Sequence, residues 1–232
     1  MTAGGDPATR VAAVRAALAA AGDPDKAPGM QAYMRSEMPY RGVQATRRRH
    51  LVEAVLREMP FSGRHDWEAT LDSLWDEAGY REELYAAVDI AGHRSAAGWQ
   101  DPAAVPRYDR WVVTGAWWDH VDAIAIHRIG PILTAHRTEL TPLVRSWIAD
   151  ADLWRRRTSI LCQIKAKAAT DVALLRDAIV PNLADPDFFI RKAIGWALRE
   201  HAKTDPAWVG AFVEQHRESL SPLSYREATK HL

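Results

Sequence analysis

Phe188-Phe189-Ile190-Arg191-Lys192-Ala193-Ile194-Gly195-Trp196-Ala197-Leu198-Arg199-Glu200 is the stretch that decides the fold. At about 100° per residue, Ile190, Ala193, Ile194, Ala197 and Leu198 fall together, the pattern of a helix with one buried face. Asp185 or Asp187 stands before it as a cap. The same three-and-four spacing runs through Ala/Leu/Arg/Glu-rich segments along the chain, and strand-like alternation is weak. Breakers at Gly22-Asp23-Pro24, Pro39, Pro60, Gly79, Gly98, Pro102, Pro106, Gly130-Pro131, Pro142, Pro181, Pro186, Pro206 and Pro222 cut the pattern at short intervals. They predict roughly a dozen helices of about 10 to 17 residues with short joints. No Gly/Ser/Pro-rich linker intervenes. The expectation is therefore one all-α domain over residues 1–232, with 1–28 as a helical lead-in.

Trp-bearing segments at Trp75, at Trp111 and at Trp147 or Trp154 recur loosely, at spacings of about 36 to 43 residues, within the range of HEAT-type repeats. Helix pairs stacked in this way build a superhelix, an α-solenoid, whose concave face suits an extended partner. A compact helical bundle is the alternative from pattern alone.

Composition narrows the function. The 232 residues carry 30 Lys+Arg against 30 Asp+Glu, a formal net charge of zero, and 47% hydrophobic residues. That balance is globular, and it argues against a disordered chain. A lone Cys, Cys162, excludes a disulfide framework and a Cys-based zinc cluster. The nine His show no HExxH and no paired spacing, so no metal or cofactor is expected. The first ten residues lack an apolar core for a signal peptide, and no apolar run reaches about 18 residues. The expectation is a cytoplasmic monomer away from the membrane. Zero net charge argues against a nucleic-acid partner only if the charge is evenly spread. It is not: residues 154–232 hold 13 Lys+Arg against 9 Asp+Glu, and residues 1–153 hold 17 against 21.

Ten Trp is a large number for this length, and helical wheels sort them. In Trp117-Trp118-Asp119-His120-Val121-Asp122-Ala123-Ile124, Trp117, Val121 and Ile124 form an apolar stripe. Trp118 and Asp122, four apart, lie side by side at its flank. In Leu153-Trp154-Arg155-Arg156-Arg157-Thr158-Ser159-Ile160-Leu161, Arg157 projects onto the apolar face, whereas Arg155 and Arg156 point away. A guanidinium on an apolar face needs a counter-charge, a groove or a route to water. In the opening stretch, Trp196 lies off the core stripe with Lys192, Arg199 and Lys203. An aromatic among cations fits contact with a ligand and its phosphates. Each case has a plainer reading: Trp118 at a helix junction, Arg157 on a buried acid, Trp196 covered by a neighbouring helix.

These stretches closely resemble the bacterial AlkD-type DNA alkylation repair family. Further matches are Ala32-Tyr33-Met34-Arg35, Gly42-Val43-Gln44 leading to Arg47-Arg48-Arg49, and Leu220-Ser221-Pro222-Leu223-Ser224-Tyr225-Arg226-Glu227-Ala228. The resemblance covers roughly residues 25–232. Ala45-Thr46 stands where the family usually has Thr-Pro, which changes the cap of that helix.

The resemblance implies a HEAT-like repeat superhelix holding double-stranded DNA on its concave face. It implies a glycosylase that removes cationic N3- and N7-alkylpurines without flipping the base. The family's catalytic Asp matches Asp122, its two lesion-contacting tryptophans match Trp118 and Trp196, its site arginine matches Arg157, and its N-terminal Tyr near the DNA matches Tyr33. Arg157 would hold a phosphate or orient Asp122. Arg47, Arg48, Arg49, Lys192, Arg199 and Lys203 would grip the backbone. The rival expectations are a relative that binds DNA without catalysis, a relative specialised for bulky natural-product adducts, and a protein-interaction scaffold with a neutral face.

Overall fold

Helices this short need caps and close neighbours, because an isolated helix of their length is marginal in water. Asp6, Asp152, Asp171, Asp187, Asp205 and Ser221 each accept a backbone N–H from the first turn of a helix. The computed structural model describes residues 5–232, and these contain helices and turns with no strand. The α-helices are α1 (Pro7–Ala20), α2 (Ala27–Met34), α3 (Ala45–Glu58), α4 (Arg64–Asp76), α5 (Arg81–Ala91), α6 (Val105–Gly115) and α7 (Trp118–Ile124). They continue as α8 (Gly130–Ala135), α9 (Arg137–Trp147), α10 (Leu153–Leu161), α11 (Val172–Ile179), α12 (Phe188–Ala202), α13 (Pro206–Gln215) and α14 (Pro222–Ala228). The chain is all-α, as its periodicity predicts. Of the expected N-terminal lead-in, residues 1–4 lie outside the described part.

Two breakers do not break. Pro142 lies inside α9. At Gly130-Pro131 the helix also continues, because Ala125–Ile129 forms a π-helical turn joining α7 to α8. A proline ring clashes with the carbonyl four residues back, and a widened turn relieves that clash. Gly130 has its own reason. A Cβ there would sit 2.1 Å from the Cys162 carbonyl oxygen, so the helix approaches the end of α10 only as glycine.

The contacts divide the chain into two compact units, one ending at Trp99 and one spanning Gln100–Leu232. In the first, α1 packs on α3, α4 and α5, and α4 on α5. Glu82 is buried there and its carboxylate accepts the backbone N–H groups of Arg41, Gly42 and Val43. Gly42 needs its φ of 85° for that turn. No side chain caps α3, whose N-cap is Gln44.

In the second unit each helix packs mainly on near neighbours in the chain: α6 on α7, α9 on α8 and α11, α10 on α12, and α12 on α13 and α14. That nearest-neighbour pattern is how stacked helical repeats bury surface. Its core includes Ile160, Leu161, Ile190, Ala193, Ile194, Ala197 and Leu198, the residues read as stripes from the sequence. Against α14, α12 comes close enough that a Cβ on Gly195 would lie 2.6 Å from Glu227 Cβ.

Candidate functional site

Asp152 starts α10 by accepting the N–H groups of Trp154 and Arg155, and this fixes where the next three side chains point. Arg155 reaches Asp109 (2.7 Å) and Arg156 reaches Asp185 (3.1 Å), so both outward arginines are paired rather than simply solvated. Arg157 turns inward and is 3% exposed. Its Nε donates to Asp122 Oδ1 at 2.7 Å and its Nη2 to Asp122 Oδ2 at 2.8 Å. Its Nη1 donates to the backbone carbonyl of Phe189, at the start of α12. One guanidinium thus ties α10, α7 and α12 together around one carboxylate. A two-point fork of this kind fixes the plane of the carboxylate as well as its distance. All three of its nitrogens are engaged, so the buried Arg157 orients Asp122 and offers no surface to a phosphate.

Asp122 sits on α7 with 13% of its side chain exposed. Burial pushes its carboxyl above the usual range, the Arg157 guanidinium pulls it back down, and the negative charge of Asp119 adds to the rise. Desolvation outweighs the salt bridge, and the result is a carboxylate more basic than an ordinary surface Asp. It lines a cleft of about 380 Å³ with Trp196, Ile126, His127, Ile164, Lys165 and Glu200. The structure therefore brings together Asp122, Arg157 and Trp196.

Trp118 occupies the first position of α7, one turn before Asp122, and is half-buried. It is not among the residues that line this cleft. Trp117 is only partly buried too, because it is the N-cap residue of α7 and not inside the helix as its wheel assumed. Its ring packs on Trp154 and Phe189 at the junction of α7, α10 and α12. Trp196 is half-buried and packs one side against the core of the second unit.

The basic residues read as backbone grips differ in their surroundings. Lys192 and Arg199 both pair with Glu227, and Lys203 with Glu200. In the first unit, Arg47 is exposed and Arg49 lies 3.5 Å from Asp89. Arg48 is buried, held by Asp89 at 2.8 Å and lying over the Tyr85 ring, so its charge is spent inside the fold. Three consecutive helical residues cannot share one face, and the middle one turned inward. Tyr33 is 75% exposed on α2.

The sequence reading missed Lys165, His127 and Glu200. His127 comes from the π-turn, Lys165 from the segment after α10 and Glu200 from α12, and only the packing of these elements brings them to one cleft with Asp122. Among the described residues no group of three His, Cys, Asp or Glu is gathered as a metal cluster. No helix among them is long and apolar enough to cross a membrane.

The comparisons agree with this architecture. The pattern of the family described as DNA alkylation repair enzyme matches residues 14–232. A solved structure described as a predicted DNA alkylation repair enzyme from Enterococcus faecalis superposes with a TM-score of 0.82 at 30% identity, covering 91% of this chain and 96% of that one. Among curated proteins none matches. With a buried Arg–Asp fork beside a tryptophan-lined cleft on an all-helical frame, and with that match over nearly its whole length, the chain belongs to the DNA alkylation repair enzyme family.

Proposed function

We propose that the protein is a DNA glycosylase that hydrolyses the N-glycosidic bond of cationic N3- or N7-alkylated purines in duplex DNA. The observation that carries this reading is the Asp122 carboxylate, held by the Arg157 fork in the same cleft as the Trp196 ring.

Alkylation at N3 or N7 places a formal positive charge on the purine. The base then leaves as a neutral molecule with the electron pair of the C1′–N bond, and no acid is needed to protonate it. The deoxyribose left behind has oxocarbenium character. A fixed anion beside it lowers the energy of that charge, and does so more strongly in a site with little water. Asp122 meets the requirement: it is oriented, largely desolvated and close to open space. Water then adds at C1′ and gives up a proton, for which a carboxylate of raised pKa is the better acceptor. The products are the free alkylpurine and an abasic site. Trp196 supplies an aromatic face to the cationic sugar and base, and Trp118 stands one turn from the carboxylate for the same task. Reaction in the cleft, without extrusion of the base, is part of this reading.

The test is incubation with duplex containing 7-methylguanine and detection of released base, beside Asp122→Asn. Release by the wild type and a loss of at least about 100-fold in the variant, the scale of removing one preorganised electrostatic group, is the expected result. Equal release by both would remove Asp122 from its role. Duplex binding by the wild type with no release would leave a DNA-binding protein of this family that does not catalyse.

A further inference from the structure

The chain has six lysines. Four of them, Lys26, Lys192, Lys203 and Lys230, have a carboxylate within ion-pair distance. Lys165 and Lys167 have none among the described residues, and both are exposed on the short segment between α10 and α11. The nearest polar group recorded for Lys165 Nζ is His127 Nδ1, at 3.4 Å. Unpaired cations two residues apart are unusual in a protein that pairs most of its charges.

The backbone of this segment is also unusual. Lys167 has φ of 51°, the left-handed region that a lysine enters only at a cost. It is held there by the Thr170 N–H and hydroxyl, both donating to the Lys167 carbonyl. The turn therefore fixes where the two lysines stand.

They stand on a groove. A depression of about 720 Å³ is lined by Lys165, Lys167 and Lys203 together with Gln163, Thr170 and His201. It shares Ile164, Lys165 and Glu200 with the Asp122 cleft, so the two spaces adjoin. His201 is buried in the groove wall, and neither of its ring nitrogens has a hydrogen-bond partner. The ring packs edge-on against Trp208, so His201 closes the wall behind the lysines.

We propose that this groove holds a backbone phosphate of the strand that carries the lesion, with Lys165 and Lys167 as its cationic contacts. The inference rests on the glycosylase reading for its substrate. The phosphate flanking a deoxyribose is only a few bonds from its C1′. A sugar placed against Asp122 thus carries its phosphate into the adjoining space. The groove takes over the anion-binding task that the buried Arg157 is too enclosed to perform.

The test separates the two ideas. Binding to an undamaged fluorescein-labelled duplex is titrated against salt for wild type, the Lys165→Gln/Lys167→Gln double variant and Arg145→Gln. Arg145 is a single-cation control that pairs with Asp177 and lines neither space. Each lost phosphate contact flattens the plot of log K against log salt by about 0.9. The expected result is a slope shallower by about 0.9 for the double variant, unchanged melting temperature, and a wild-type slope for Arg145→Gln. An unchanged slope in the double variant, or equal flattening in Arg145→Gln, overturns the proposal. Base release by the wild type with an unchanged double-variant slope refutes the groove and leaves the glycosylase reading standing. A lysine-dependent slope without base release does the reverse.

Discussion

At the scale of single residues, the balance at Asp122 makes a prediction about pH. Burial raises its pKa, and the Arg157 fork opposes the rise. Arg157→Ala removes the opposing influence and leaves the burial. The carboxyl then holds its proton to higher pH, and the acid limb of the pH–rate profile moves upward. At neutral pH the rate falls by about 10- to 100-fold, because the carboxylate also loses its fixed orientation. Arg157→Lys keeps a charge but not the planar fork, and it falls between. Single-turnover base release across a pH series reads this directly, and a limb that moved downward would refute the role given to Arg157. The wheel marked Arg157 as anomalous because a charge lay on an apolar face. The resemblance left Arg157 between holding a phosphate and orienting Asp122, and the packing of α10 on α7 decided for Asp122, 35 positions earlier.

Among the elements, the close approach of α12 to α14 controls the cleft. Gly195→Ala would place a Cβ 2.6 Å from Glu227 Cβ and 3.0 Å from the Ser224 carbonyl oxygen. Overpacking of this kind costs about 1 to 3 kcal/mol. Because Trp196 is the next residue, a shift of α12 also moves the indole that lines the cleft with Asp122. The expected outcome is a lower urea midpoint together with slower base release, and a variant with wild-type stability would show that the contact yields easily. The helix itself was legible from its period and from a cap at Asp185 or Asp187, of which the structure uses Asp187. The close approach was not, since a glycine in a helix reads the same whether it meets a neighbour or open water. Gly130-Pro131 misled for a related reason: proline predicts a break, and the π-turn at Ala125–Ile129 absorbs it without one.

For the molecule as a whole, charge is distributed through pairs, and one carboxylate, Glu227, contributes to acid stability. Glu227 has a side chain 5% exposed. Lys230, with Lys192 and Arg199, outweighs its burial and holds its pKa down at about 2. A depressed carboxylate stabilises the fold fully above its unfolded value near 4.5, and that contribution is lost as pH falls toward 2. Glu227→Gln should therefore lower stability at neutral pH by a few kcal/mol and flatten the stability curve between about pH 4.5 and 2. Chemical denaturation at a series of pH values checks both. A variant curve parallel to the wild type across that window would show that Glu227 does not carry the acid dependence.

The sequence by itself determined that the chain is helical, which faces of α10 and α12 are buried, and which residues stand out from those faces. These are properties of local spacing, and a helix of fixed pitch turns spacing into direction. The tertiary structure alone decided which outliers meet. It joined Arg157 to Asp122 and Phe189, placed Trp196 and Lys165 on one cleft, and turned Arg48 inward onto Asp89. Each of these pairs spans between 31 and 41 positions of chain. They depend on how helices pack, and helical period carries no information about packing partners.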